Sequence, residues 1–159
     1  MKMSERYAIG EKTETGTYRF TKENIIRFAS RFDPQRFHMD EEQARDTLFG
    51  GLCASGWHTC AAWMKTFMDY WAEEADRLAR SGIAPPNLGP SGGFRKLQWL
   101  RPVYVDDEIS YSVTLVASRP LKSRPGRIMN TILCEGINQS GTPVIRFESD
   151  VLEFEKPGV

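Results

Sequence analysis

The chain has 159 residues, of which 40% are apolar and 11% aromatic, and its 21 basic and 21 acidic side chains give zero formal net charge. This length predicts one domain over residues 1–159 with a substantial hydrophobic core. Balanced charge argues against nucleic acid and membrane surfaces as partners, because both attract proteins with a basic excess.

The cysteines and the N-terminus indicate the cellular compartment. Three cysteines without a CxxC pair favour buried thiols in a reducing cytoplasm over a disulfide framework or a zinc site. The N-terminus has no apolar signal core, so we do not expect secretion. Lys65 and Asp69 interrupt the longest apolar stretch, which therefore does not predict a membrane span.

The first third of the chain predicts an arm, a strand and a capped helix. Polar residues 1–13 favour a loose arm, and residues 14–20 favour a short strand. Thr21 is typical of a helix N-cap. The helix after it carries an apolar face at the i, i+3, i+4, i+7 spacing, formed by Ile25, Phe28, Ala29 and Phe32. Pro34 disfavours helical geometry at Asp33, so we expect Asp33 just past the helix end, held by the packing of the two phenylalanines.

A second short helix and then a long one are predicted next. Asp40, with Gln43 three residues on, resembles the capping box of the short helix. After the break at Gly50-Gly51, Ser55 is expected to cap a helix over residues 56–80. Apolar side chains point in nearly all directions around this helix: Trp57, Cys60, Ala61, Ala62, Trp63, Met64, Phe67, Met68, Tyr70 and Trp71. A helix that is apolar on all sides is a buried one, so we expect it in the core.

The second half of the chain predicts a sheet. Residues 81–93 are rich in glycine and proline and favour a long loop. Four β-like segments follow, at 94–100, 108–118, 127–137 and 143–154. In the last segment the apolar phase shifts at Leu152, which indicates a bulge or a change of environment. The elements together predict an α+β fold, a long central helix wrapped by a curved antiparallel β-sheet, and the remaining apolar surface of the helix favours a homodimer or a higher homo-oligomer.

Three segments resemble one known family. The runs FDPQRFHMDEEQA, FGGLCASGWH and WLRPVYVDDEISYSV are similar to segments of the MaoC-like dehydratases, a hot-dog-fold family that includes the (R)-specific enoyl-CoA hydratases. The resemblance covers residues 18–154. Its most specific part is an Asp, a His five residues later and a second Asp two residues after that, at Asp33, His38 and Asp40, and the WxxPV segment is a second point of agreement.

The resemblance implies a reaction and a site. A hydratase or dehydratase of this family acts on enoyl or 3-hydroxyacyl thioesters, with coenzyme A as part of the substrate and no metal or other cofactor. Asp33 and His38 match the residues that flank the catalytic water, and Gly56 matches the backbone contact to the thioester oxygen. Adding water to an enoyl thioester requires a base, an acid and an oxyanion donor, and these three groups supply them.

Two positions depart from the family pattern. The family commonly has Asn-Pro where this chain has Gln35-Arg36, which implies a charge close to the site and a changed substrate preference. The family usually has a histidine before the helix glycine, where this chain has Ser55. We expect Ser55 to act first as a helix cap, and we expect Ser55, Trp57 and Phe37 to contact the substrate.

Several residues also have a structural interpretation. Asp33 before a proline is typical of a turn, and Gly56 also relieves crowding between helix and sheet. His58, one turn into the helix, is more typical of a packing residue. Cys53 lies near the helix start, but no histidine that pairs with it is evident, so we do not expect a nucleophile. Three cations near a turn fit either the phosphates of coenzyme A or a solvated hairpin: Lys122, Arg124 and Arg127.

Two other functions fit the same sequence features. A hot-dog thioesterase would bind the same thioester but direct a carboxylate-activated water at the carbonyl carbon. A non-catalytic acyl-CoA binding subunit is also compatible with the changed Gln35-Arg36 pair. The five-residue spacing from Asp33 to His38 favours hydration over thioester hydrolysis.

Overall fold

The structure is a computed structural model that describes residues 1–155, so that residues 156–159 of the predicted domain lie outside the described residues. The helices of this part of the chain are α1 (Met3–Arg6), α2 (Lys22–Phe32), α3 (Arg36–Met39), α4 (Glu41–Arg45) and α5 (Gly56–Arg80). Its strands are β1 (Lys12–Arg19), β2 (Asn87–Trp99), β3 (Glu108–Pro120), β4 (Arg127–Ile137) and β5 (Pro143–Phe154). Among the described helices, none combines the length and apolar character needed to cross a bilayer.

The five strands form one antiparallel sheet in the order β1-β3-β4-β5-β2, and α5 packs against it. The Trp63 indole N–H donates to the Ser112 carbonyl at 3.2 Å, and the Tyr111 hydroxyl donates to the Thr59 carbonyl at 3.0 Å. These buried bonds link polar groups of the helix and of the interior strand β3, which would otherwise be costly to bury. The predicted α+β hot-dog fold, with a long helix wrapped by an antiparallel sheet, is confirmed.

Helix α5 has the predicted bounds but not the predicted burial. Ser55 caps it, because the Trp57 N–H donates to the Ser55 hydroxyl at 3.3 Å. The expectation that the helix is buried on all sides is wrong for a single chain, since Trp57, Met64 and Met68 are 49%, 48% and 53% exposed. These three residues follow one another at i, i+7 and i+11, so they form one stripe on the side that the sheet leaves uncovered.

The N-terminal arm is ordered, contrary to the expectation of a loose arm. Met3 is 2% exposed and its N–H donates to the carboxylate of Glu153 at 3.1 Å. Arg6 pairs with Glu74 near the far end of α5, and the hydroxyl of Tyr7 lies 3.1 Å from a second tyrosine hydroxyl on that helix. These contacts join residues more than 60 positions apart, which composition alone does not reveal.

The last strands differ from expectation in two places. Strand β2 begins at Asn87, seven residues before the predicted start, and its Gly/Pro-rich half pairs with β5 through several register shifts, as an edge strand tolerates. Strand β5 pairs with β4 without a shift from Ile145 to Phe154, but its pairing with β2 shifts between Leu88↔Glu153 and Ser91↔Val151, so the expected bulge lies opposite Leu152 on the β2 side. The inward position beside Leu152 is filled by Glu153, which is 1% exposed.

Candidate active site

The end of α2 delivers Asp33 to the site. Thr21 caps the start of α2 by accepting the Asn24 N–H at 3.2 Å, as predicted, and the helix ends at Phe32. Asp33 then takes non-helical angles, φ −156° and ψ 69°, before Pro34. The expected packing of Phe32 is wrong, because its side chain is 70% exposed. The position of Asp33 is therefore set mainly by hydrogen bonds to its carboxylate.

Two side chains donate to the Asp33 carboxylate. The Gln35 amide Nε2 lies 2.7 Å from Oδ1, and the Ser55 hydroxyl lies 2.7 Å from Oδ2. His38 Nε2 is 3.4 Å from Oδ2. Partial burial raises the pKa of Asp33, but the donors Gln35 and Ser55, with the nearby His38, outweigh it and hold the pKa below its ordinary value. Asp33 is therefore ionised at neutral pH.

His38 is buried, and one backbone contact sets its tautomer. Its Nδ1 lies 2.7 Å from the carbonyl oxygen of Cys53. A carbonyl can only accept, so Nδ1 carries a hydrogen, and in the neutral form of the ring Nε2 is bare and faces Asp33. In that form the carboxylate and the imidazole are two acceptors 3.4 Å apart. One water molecule can donate a hydrogen to each of them.

The start of α5 reaches the same place through a short extended segment. The Cys53 N–H donates to the Phe37 carbonyl at 3.1 Å, and the Ala54 N–H donates to the Val103 carbonyl at 2.8 Å. These bonds fix residues 53–54 between α3 and the connection before β3. Ser55 follows directly, so its hydroxyl both caps α5 and reaches Asp33.

Gly56 has two roles that the sequence left as alternatives. Its N–H has no hydrogen-bond partner within residues 1–155, so it is a free donor at the positive end of the α5 dipole. A Cβ on this residue would collide with the Trp99 indole, which lies against the helix start. Glycine is therefore required for packing, and the same packing leaves its N–H available to a ligand oxygen.

A cavity of about 450 Å³ joins these groups. It is lined by Asp33, Gln35, Phe37, His38, Phe49, Cys53, Ala54, Gly56, Trp57, Thr59, Trp99, Leu100, Arg101, Pro102, Val103 and Val144. Of the predicted substrate contacts, Phe37 and Trp57 line it, whereas Ser55 is 1% exposed and lies behind the carboxylate. The predicted roles of these residues in catalysis and binding stay predictions.

Three lining residues escaped sequence reasoning as site residues. Gln35 was treated only as a departure from the family pattern, yet it contacts Asp33 directly. Trp99 and Arg101 belong to the WLRPV segment, whose resemblance to the family was the available signal. The charge expected from Arg36 does not line the cavity, because this residue is exposed on α3. Arg101 contributes a positive charge to the lining instead.

Two nearby groups have structural roles. Cys53 Sγ lies 3.8 Å from His38 Nδ1, so a histidine is close after all, but burial raises the thiol pKa to about 11 and makes it a poor nucleophile. His58 stacks on Phe28 with ring centroids 4.6 Å apart, and burial, with Arg27 nearby, lowers its pKa to about 4. Neutral His58 packs between α2 and α5, as expected. The three cations of the β3–β4 turn lie outside the cavity lining: Lys122, Arg124 and Arg127.

Comparison with known proteins gives consistent matches over the full fold. The family model described as "MaoC like domain" matches residues 4–135. The chain is 32% identical over 152 residues to the uncharacterized protein YdeM of Bacillus subtilis, covering 96% of this chain and 98% of that protein. A MaoC-like dehydratase structure from Rhodospirillum rubrum is 35% identical, with a TM-score of 0.79 over 99% of both chains. The (R)-hydratase PhaJ1 of Pseudomonas aeruginosa shares the fold at 20% identity, with a TM-score of 0.65 over 93% of this chain and 83% of that chain.

Proposed function

This chain belongs to the MaoC-like domain family, and on that premise we propose that it is a lyase that adds or removes water at the α,β double bond of an acyl thioester. One observation carries the proposal. An ionised carboxylate lies 3.4 Å from Nε2 of an imidazole whose Nδ1 bonds to a backbone carbonyl, beside a free helix-start N–H in one cavity. A water-activating pair beside an oxyanion donor is what this reaction requires.

In the hydration direction, water is split between the two carbons of the double bond. The water bound by Asp33 and His38 loses a proton to this pair, and its oxygen forms a bond to the β-carbon. The π electrons move toward the thioester carbonyl, whose oxygen becomes enolate-like and accepts the Gly56 N–H. The proton held by the pair is then delivered to the α-carbon, which restores the carbonyl. An oxyanion donor of this kind contributes about 3–4 kcal/mol to transition-state stabilisation.

The substrate we propose is an enoyl-CoA or 3-hydroxyacyl-CoA, and no metal or redox cofactor enters the reaction. The apolar walls that include Phe37 and Trp57 suit an acyl group. Arg101 is the single Lys or Arg side chain that lines the cavity, and it is exposed, with no ion-pair partner within residues 1–155. It is therefore available to a negatively charged part of the carrier.

We further propose a homodimer. Large apolar side chains are exposed on α5, on β2 and just after β2: Trp57, Met64, Met68, Phe94, Trp99 and Leu100. Contiguous exposed apolar surface of this kind marks an interface. Light scattering should report twice the mass of the 18.1 kDa chain, and the double substitution Met64→Glu, Met68→Glu should shift it toward the monomer.

The activity test follows loss of the enoyl absorbance of crotonyl-CoA and longer enoyl-CoAs. We expect Asp33→Asn and His38→Ala to lower kcat at least about 100-fold, because each removes one side of the water site. Asp40→Asn is the matched control, since Asp40 caps α4 from an exposed position and asparagine caps equally well. Unchanged turnover in both folded variants would refute the proposed pair. Release of free thiol from acyl-CoAs would indicate a thioesterase instead, and acyl-CoA binding without turnover would indicate a binding subunit.

A further inference from the structure

We propose that Gln35 is a positioning residue that acts on both members of the Asp33–His38 pair. This inference rests on the proposed function and assigns a role to a residue that the family motif does not share. The Gln35 side chain donates to Asp33 Oδ1 at 2.7 Å, and its backbone carbonyl accepts the His38 N–H at 2.9 Å. One residue thus touches the carboxylate with its side chain and the histidine backbone with its main chain.

The backbone around Gln35 makes this contact specific. Its N–H donates to the Asp33 carbonyl at 2.8 Å, which tightens the turn after α2, and Gln35 is also the N-cap residue of α3. Pro34 between the two residues restricts the turn further. The Gln35 amide is therefore presented to Asp33 by local chain geometry. The other oxygen, Oδ2, accepts a hydrogen bond from the Ser55 hydroxyl at 2.7 Å, so each carboxylate oxygen has one side-chain donor.

The neutral charge of the amide matters for the reaction. A lysine or arginine at this position would lower the pKa of Asp33 much further and make its carboxylate a weaker base for the proton that the reaction moves. A neutral donor orients the carboxylate and stabilises its charge while leaving Oδ2 facing His38 Nε2. The ionised form of Asp33 is thereby favoured. Losing the donor therefore raises the pKa of Asp33, and an acid limb of activity that follows this carboxylate moves to higher pH.

The test compares Gln35→Met with Gln35→Glu. Methionine keeps the length of the side chain and removes the donor, whereas glutamate places a second negative charge beside the pair. We expect Gln35→Met to lower kcat about tenfold at nearly constant KM, and to raise the acid midpoint of kcat/KM by roughly half to one pH unit. Gln35→Glu should raise that midpoint further, because a like charge beside Asp33 disfavours the ionisation of its carboxyl group.

Gln43→Met is the matched control, because Gln43 is an exposed glutamine of α4 outside the cavity lining. It should leave kcat and the pH midpoint unchanged. A lower kcat for Gln35→Met with an unshifted midpoint would overturn the proposal and reduce Gln35 to a structural turn residue. So would a midpoint that does not rise in the order wild type, Gln35→Met, Gln35→Glu.

A second measurement separates this inference from the proposed reaction. Carbon-13 NMR of the carboxyl groups follows the titration of Asp33 in the free protein, without substrate. We expect its midpoint to rise by roughly half to one pH unit in Gln35→Met. If the wild type hydrates no enoyl-CoA but this shift is present, the reaction is wrong and the positioning role stands. If Asp33→Asn abolishes hydration but the shift is absent, the reaction stands and the role of Gln35 is refuted.

Discussion

The Ser55 hydroxyl makes two hydrogen bonds at the start of α5, and Ser55→Ala removes both. It caps α5 by accepting the Trp57 N–H, and it donates to the ionised Asp33 at 2.7 Å from a position that is 1% exposed. Loss of a helix cap costs about 1 kcal/mol, and loss of a buried hydrogen bond to a charged group costs about 1.5–3 kcal/mol. We therefore expect Ser55→Ala to lower the free energy of unfolding by about 2.5–4 kcal/mol, or Tm by roughly 5–15 °C.

A double-mutant cycle, followed by unfolding in urea, measures how much of this loss in the free energy of unfolding comes from the hydrogen bond between Ser55 and Asp33. Ser55→Ala, Asp33→Ala and the double variant should show a coupling free energy of about 1–2 kcal/mol. Thr21→Ala is the control, because Thr21 caps α2 without touching a carboxylate; it should cost about 1 kcal/mol and show no coupling to Asp33. Additivity of the Ser55 and Asp33 effects within about 0.5 kcal/mol would refute the reasoning.

The same cycle has a defined dependence on pH. The pKa of Asp33 is lowered in the folded protein, so its stabilising contribution is present above the ordinary Asp pKa of about 3.9 and is lost as the pH falls through the folded value. The coupling between Ser55 and Asp33 should therefore shrink at acid pH. A coupling that stays constant from neutral pH into that acid range would mean that the bond does not depend on the charge of Asp33.

Two further variants test the helix start and the N-terminal arm. Gly56→Ala should lower both the stability in urea unfolding and kcat/KM, because the added Cβ collides with the Trp99 indole and shifts the helix start that carries the residue 56 N–H; an unchanged kcat/KM in this variant would mean that the position of the helix start is not needed for activity. Met3→Ala should cost about 2–4 kcal/mol in urea unfolding, since Met3 is 2% exposed. A cost below about 0.5 kcal/mol would mean that α1 is not part of the core.

Local rules predicted the helices well. Thr21, Asp40 and Ser55 each accept a backbone N–H in the first turn of a helix, as their side chains suggested. The bounds of α5 agree with the prediction because a cap, a glycine and a long run without breakers define them within a short stretch of sequence. In each case the interacting groups lie within a few residues of one another, so sequence order is a good guide to contact.

Features that depend on contacts between residues far apart in the sequence could not be predicted from local patterns. The buried position of Met3 depends on Glu153, which is 150 residues away, and Glu153 is itself held by Asn130 at 2.7 Å. Glu153 lies between Leu152 and Phe154, and an acidic residue in such a place is typical of a solvent-facing position. The alternation of β5 at its end therefore predicted the wrong face for this residue. The exposed stripe on α5 has the opposite origin. Its apolar pattern is real, but residues 1–155 of a single chain supply no second surface to cover Met64 and Met68.

The candidate site depends both on local spacing and on contacts between residues distant in sequence. Local spacing predicted that Asp33 and His38 lie near each other, but it did not predict the hydrogen bonds that orient them. The spacing of Asp33 and His38 indicated a pair, but their relative orientation depends on Ser55, which is 22 residues after Asp33, and on the Cys53 carbonyl. Both belong to the segment that starts α5. The start of this helix therefore sets the orientation of the carboxylate, the hydrogen position on the histidine and the free Gly56 N–H together. A substitution that displaces the helix start should alter all three groups at once, whereas one in the loop, such as Gln35→Met, should alter the carboxylate first.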